Sequence, residues 1–276
     1  MEQRSVTVVK LGGELAESRE TLDGIAAALG AAVASGRRIV VVHGGGKQTT
    51  ELGERLGMRS TFVGGRRVTD AAMVDVLTMA IAGTARMAIL AALRRAGVRA
   101  IGVSGVDAAI VRARRRPPVT ALDPVTGVST TVDLGLVGDV IDVDTDALVA
   151  LLDAGMLPIL APMSADDEGV VYNINADTVA VAVAKAVQAE TWIVASNVAG
   201  VRGPDGEVFP VLDVAEAVEL IRSGVVTGGM IPKLEAAIDA VCGGVGRVRL
   251  VDGSAPGVLA SALAGADVGT LVTAGR

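Results

Sequence analysis

Short continuous runs of aliphatic and β-branched residues alternate along this chain with longer stretches whose apolar positions recur at helical spacing. Val6 to Leu11 is followed by Leu22 to Ala34, Arg38 to His43 by Gln48 to Leu56, and Leu157 to Ala161 by Ala176 to Val187. Further buried-strand runs stand at Thr191 to Ser196, Arg247 to Val251 and Gly269 to Thr273. Strand and helix in alternation predict βαβ units, hence an α/β fold with a mainly parallel sheet, helices on both faces and ligands at the strand C-termini. The alanine-rich stretch from Asp70 to Ala96 predicts one long helix, a wall between lobes or subunits or else a core helix. Two segments read as hairpins instead: Thr61 to Val68 around Gly64-Gly65, and Ala109 to Leu134 around Asp123-Pro124 and Thr126-Gly127. Flaps of this kind cover sites.

Two of the strand runs open directly into glycines, at Lys10-Leu11-Gly12-Gly13 and at His43-Gly44-Gly45-Gly46. Glycines there let backbone N–H groups approach an anion closely, and Lys10 adds a fixed positive charge, which points to phosphoryl transfer. Neither run is a P-loop or a dinucleotide fingerprint. Gly46-Lys47 is followed by Gln48 and not by Ser or Thr, and no G-x-G-x-x-G spans a strand-to-helix turn.

A second cation, Lys233, sits in Gly228-Gly229-Met230-Ile231-Pro232-Lys233, at the positive start of a helix running to Val241. In Asn173-Ile174-Asn175-Ala176-Asp177 a strand gives way to an apolar helix, with Asn175 placed as its N-cap. Asp177 then serves either the helix dipole or the two lysines, and spacing does not choose between them. Arg67, in the first flap, has the guanidinium fork that grips a carboxylate, and Thr69 or Asp70 caps the long helix. His43, the single histidine, stands at the end of a buried strand and reads as a hydrogen-bonded structural residue, not a general base.

Composition narrows the partners. With 276 residues, 51% of them hydrophobic, the chain can bury one large domain or two lobes, with a boundary near Pro162 to Gly169. The 25 basic and 31 acidic residues give a net charge of −6, which argues against a nucleic-acid or membrane-surface binder and for a small-molecule substrate. Cys242 alone forms no internal disulfide and no zinc cluster, so the expected compartment is reducing. Met1-Glu2-Gln3-Arg4 runs straight into the first strand without an apolar signal core, and no later stretch reads as a bilayer span, so the expected location is cytoplasmic.

These motifs in this order, together with Gly65-Arg66-Arg67-Val68-Thr69-Asp70, Gly102-Val103-Ser104-Gly105, Asn197-Val198-Ala199-Gly200-Val201 and Gly269-Thr270, resemble the amino acid kinase family over nearly the whole chain. The resemblance implies an αβα sandwich with a mainly parallel open sheet in two lobes. The first, approximately 1–165, would hold an amino-acid substrate; the second, approximately 166–276, would hold ATP with Mg2+. The implied reaction is phosphorylation of the side-chain carboxylate of N-acetyl-L-glutamate, giving an acyl phosphate and ADP, in arginine biosynthesis. By the family's motifs, Lys10 and Lys233 stabilise the transferring phosphoryl and Asp177 organises both. Gly44, Gly45, Arg67 and Asn173 bind the substrate, while Gly12, Gly13, Ser196, Asn197 and Gly229 bind the nucleotide, with no metal ligand assigned.

The chain also departs from the family pattern. Asn197 stands where many members carry an acidic residue near the nucleotide, and Arg86-Met87 replaces a more usual Asn-Lys on the long helix. Arginine-inhibited members carry an extra N-terminal helix; with Lys10 nine residues after Met1, the expectation here is a homodimer insensitive to arginine. Two rival functions stand beside the first. One is a kinase for aminoadipate or glutamate held on an acidic carrier protein, for which Arg112, Arg114, Arg115 and Arg116 would be a landing site or merely a solvated tip. The other is a non-catalytic amino-acid-binding regulatory module of the same fold.

Overall fold

In the computed structural model, residues 5–122 and 129–275 are described. Met1-Glu2-Gln3-Arg4 and the turns Asp123-Pro124 and Thr126-Gly127, which the sequence reading used, lie outside the described residues. An eight-stranded sheet runs in the order Val211–Asp213, Thr270–Thr273, Arg247–Asp252, Thr191–Ser196, Val6–Leu11, Arg38–His43, Leu157–Ala161, Ala100–Ser104. All neighbouring pairs are parallel except Arg247–Asp252 with Thr270–Thr273, so two strands at one edge run against the rest. The expected alternation of strand and helix builds this open sheet.

Every residue of Val6–Leu11 is buried, because helices cover both faces of this central strand. Alternation then sorts its side chains. Val6 and Val8 pack with Val40, Val42, Val179, Ala180 and Val183 on one face. Val9 and Leu11 pack with Ile39, Val41, Leu22, Leu29 and Leu93 on the other. By the same period of two, Lys10 points to the first face, the one covered by the helix Ala176–Ala186. That helix is capped by Asn175, whose side chain accepts from the backbone N–H of Asp177 at 2.8 Å, as the sequence led us to expect.

Between the caps Asp70 and Ala96 the stretch is helical from Ala71 to Arg95, and Asp70 caps its start, accepting from Met73 N at 2.8 Å. It is not uniform. Ala71–Leu77 and Arg86–Arg95 are α-helical, while Thr78–Ala85 between them is a π-helix, and Thr84 Oγ1 bonds back to Met79 O five residues earlier. One sequence expectation needs correcting here: Ala71–Arg95, 25 residues long with an 18-residue window of mean hydropathy 1.8, is long and apolar enough by those two measures to cross a membrane. In the fold, Ile89, Ala92 and Leu93 pack into one core and Met73, Val76, Leu77 and Ile81 into a smaller one.

The first flap forms as expected, a hairpin of Phe62–Val63 and Arg66–Arg67. The second differs. Only its outer part, Val119–Leu122 with Ser129–Val132, is a hairpin. Val111–Arg115 instead pairs with Gly138–Val143 and Met163–Ala165 in a separate four-stranded sheet. Its alternate residues Val111 and Ala113 are buried in the main core, and that burial outweighs the local turn signal.

Candidate active site

The C-terminal ends of Val6–Leu11 and Arg38–His43 meet the start of Ala176–Ala186 around a cleft of about 250 Å3. Lys10, only 7% exposed, places its Nζ 3.0 Å from Asp177 Oδ1. The contact is an ion pair without hydrogen-bond alignment, since Oδ1 is buried yet accepts no directed hydrogen bond among the described residues. Asp177 lies in the first turn of Ala176–Ala186, where the dipole favours its charge, and it also holds one of the two lysines.

Lys233 is placed otherwise. Its Nζ donates to Gly229 O of its own helical turn at 3.3 Å, and Asp177 is ion-paired with Lys10 alone among the described residues. The two regions still adjoin, because Pro232, Asn175 and Asp177 line one further cavity of about 690 Å3. Pro232 occupies the first turn of Met230–Cys242, where its missing N–H leaves no partner wanting. Gly228 before it has φ +56°, a conformation that suits glycine.

Backbone donors in the two glycine runs divide into spent and free. Gly12 N–H donates to Ala195 O and Gly44 N–H to Leu11 O, each at 2.9 Å, as continuations of the sheet. Gly13 and Gly45 donate to no backbone carbonyl among the described residues, and both line the cleft with Lys10. A cation and two undirected N–H groups in a buried corner make an anion site. Space is tight. A Cβ on Gly13 would lie 2.8 Å from Gly45 N, and one on Gly45 would lie 2.8 Å from Ile81 Cγ1 of the π-helical stretch. Glycine is required at both by close approach.

At the other end of the cleft, Arg67 is 6% exposed. Its Nη2 donates to Gly46 O at 2.8 Å and Thr50 Oγ1 at 2.9 Å, Nη1 donates to Ser60 Oγ, and its plane lies 4.7 Å from the Phe62 ring. Burial lowers its pKa below the usual guanidinium value. Three of its five donors are thus occupied, and it stands as a fixed fork with two remaining. Asn173 Nδ2 reaches Thr69 Oγ1 at 3.3 Å, and that hydroxyl bonds Arg67 O at 3.0 Å, so one chain of contacts links Asn173 to the flap.

Ser196 and Asn197 end the strand next to Val6–Leu11; Ser196 is buried with its carbonyl accepting from Gly253 N at 2.7 Å, while Asn197 is exposed. Neither Ser196, Asn197, Gly12 nor Gly229 lines the cleft. His43 is buried on the opposite face of the sheet from Lys10, its Nδ1 2.9 Å from Gly44 O. Two residues were missed. Gln48 donates from Nε2 to Gly13 O at 2.8 Å, tying the first glycine run to the helix Gly46–Arg55. Arg66 lines both cavities and has no hydrogen-bond or ion-pair partner among the described residues. Burial first, and then repulsion from Arg116, lower its pKa, while Asp139 opposes them. The doubled Arg66-Arg67 was the available signal.

A family model described as the amino acid kinase family matches residues 5–252. The acetylglutamate kinase of Acidiphilium cryptum (strain JF-5) is 43% identical over 236 residues, which is 85% of this chain and 79% of that protein. The acetylglutamate kinase of Granulibacter bethesdensis is 38% identical over 252 residues, 91% and 84% respectively. Among solved structures, N-acetylglutamate synthase from Neisseria gonorrhoeae, complexed with coenzyme A and L-arginine, superposes with a TM-score of 0.84 at 26% identity. That match covers 99% of this chain and 62% of the synthase chain, so this chain spans about three-fifths of that protein. Carbamate kinase from Giardia lamblia bound to AMP-PNP matches with a TM-score of 0.69 at 15% identity over 99% of both chains, a likeness of fold alone.

Proposed function

We propose, from the premise that this chain belongs to the amino acid kinase family, that it transfers the γ-phosphoryl group of ATP to the side-chain carboxylate of N-acetyl-L-glutamate, a step of arginine biosynthesis. The observation that carries the reading is the Lys10–Asp177 pair set beside the free N–H groups of Gly13 and Gly45. A carboxylate is ionised at neutral pH and attacks phosphorus without a general base. A carboxylate oxygen forms the new P–O bond, the bond to the β-phosphate bridging oxygen breaks, and its electron pair leaves with ADP. Catalysis is then alignment and charge neutralisation.

In this reading Lys10 neutralises the equatorial phosphoryl oxygens and Asp177 holds it in place. Lys233 supplies a second cation from the start of Met230–Cys242, one residue after Pro232, which lines the adjoining cavity. Gly44 and Gly45 shape the phosphate end, and Arg67 and Asn173 hold the acceptor. Gly12, Gly13, Ser196, Asn197 and Gly229 flank the nucleotide. Mg2+ carried with the ATP phosphates would supply further positive charge there, and no protein ligand is assigned to it. Met79 and Met87, 48% and 63% exposed on the long helix, support pairing of two copies as a homodimer. We place the enzyme in the cytoplasm, where ATP is made and the lone Cys242 stays reduced.

The carrier-protein rival loses its footing: Arg112 pairs with Asp142 at 3.2 Å, Arg115 with Asp133 at 2.8 Å, and Arg116 with Asp139. Three of the four arginines are thus neutralised on the protein itself. The test is incubation with ATP, Mg2+ and N-acetyl-L-glutamate in the presence of hydroxylamine. One hydroxamate formed per ADP is expected, whereas ADP without hydroxamate means hydrolysis and refutes acyl-phosphate formation.

A further inference from the structure

His43 is a buried titratable group that the reaction above does not use. It is 1% exposed, and burial, the largest effect, pushes its pKa down to about 4, so the ring is neutral. Its Nδ1 lies 2.9 Å from the carbonyl oxygen of the next residue, Gly44. A carbonyl only accepts, so Nδ1 carries the proton and Nε2 the lone pair. Nε2 is buried and without a partner among the described residues. An aliphatic side chain would fill this place without stranding a polar nitrogen, and the retained donor therefore calls for a reason.

The reason lies in the peptide that follows. In a trans peptide the carbonyl of Gly44 and the N–H of Gly45 lie in one plane and point in opposite directions. Gly44 N–H is already fixed on Leu11 O at 2.9 Å. With the Gly44 carbonyl drawn to the imidazole, on the far face of the sheet from Lys10, the Gly45 N–H is turned the other way, into the cleft it lines.

We infer that His43 is a positioning residue: its Nδ1–H holds the Gly44 carbonyl and thereby aims the Gly45 N–H at the phosphoryl group. This rests on the kinase reading and adds to it the residue that sets the anion-binding peptide. Arg86, half-buried over Gly102 on the same side, disfavours the imidazolium and helps keep the ring neutral.

Because the chain has one histidine, selective 15N labelling gives its tautomer without overlap. The expected spectrum is a neutral ring protonated at Nδ1 at pH 7; protonation at Nε2 would overturn the inference. The kinetic test compares His43→Asn, whose amide nitrogen takes the place of Nδ1, with His43→Gln, whose amide lies one bond further out, and His43→Leu. Leu and Gln should lower kcat on the order of a hundredfold, the effect of losing one preorganised donor, with acceptor KM changed little. Asn should recover most of that loss. Leu at wild-type kcat, or Asn no better than Leu at equal melting temperature, overturns the inference. If Leu fails to fold, the Asn to Gln comparison and the tautomer still decide. Failure of the kinase reading shows separately, as wild-type protein without turnover, and removes the catalytic part while the spectrum still judges the hydrogen bond.

Discussion

Replacing Lys10 by Met removes the positive end of the ion pair while keeping most of the side chain's bulk. At 3.0 Å and an effective dielectric near 20, the Coulomb attraction to Asp177 is about 6 kcal/mol before desolvation of the two groups is subtracted. Stranding one charge of a fully buried pair costs about 3–5 kcal/mol; with the Asp177 side chain 20% exposed, solvent trims this to about 2 kcal/mol. The expected loss of melting temperature is roughly 5 °C for a chain of this size. The kinetic effect should be larger, a fall in kcat of about 10²–10³, because the lysine acts on charge that develops only as the phosphoryl group transfers. The double variant Lys10→Met/Asp177→Asn separates the two effects, since it removes the stranded charge. Thermal melts should return close to wild type while coupled ADP-release kinetics stay at the level of Lys10→Met. Recovery of turnover in the double variant, or more than a tenth of wild-type kcat in Lys10→Met, would refute the assignment.

Other perturbations follow from the same geometry. His43 has a folded pKa of about 4 against 6.5 unfolded, so the unfolded state binds the proton first; its contribution is intact above pH 6.5 and is lost as pH falls toward 4, by up to about 3 kcal/mol. Denaturant melts between pH 7 and 4 should show this slope in wild type and a shallower one in His43→Asn. Gly45→Ala drives a methyl to 2.8 Å from Ile81 Cγ1 and should cost about 1–3 kcal/mol; adding Ile81→Ala, which vacates that contact, should restore part of the lost turnover, and no rescue would show that the clash is not the cause. Arg66→Gln removes an unpartnered cation at the acceptor end and should raise acceptor KM about 10- to 100-fold with little change in melting temperature, as measured by initial rates.

Much of the central sheet was legible because its strands are short runs dominated by aliphatic and β-branched residues: Val6–Leu11, Arg38–His43, Leu157–Ala161 and Thr191–Ser196 have the bounds their runs predict. The second flap was not, because the burial that draws Val111–Arg115 into another sheet comes from the distant strands Gly138–Val143 and Met163–Ala165. The π-helical turn at Thr78–Ala85 has no local signature, since Ala, Ile and Thr suit either helix. At the site, glycine runs and lysines could be read off as types. Which N–H groups are spent in the sheet could not, because Gly12 and Gly44 are consumed by carbonyls of neighbouring strands. Likewise, the sequence could not show that Gly46, Thr50 and Ser60 take up three of Arg67's five donors, while Arg66 beside it has no hydrogen-bond or ion-pair partner among the described residues.

The most direct test of the central claim is acceptor selectivity in one assay. ADP release and hydroxamate formation are measured with ATP and Mg2+ for N-acetyl-L-glutamate, L-glutamate, L-aspartate and N-acetyl-aminoadipate side by side. The account predicts turnover with N-acetyl-L-glutamate and little with the other three. Silence on all four from folded protein that still binds ATP would contradict it.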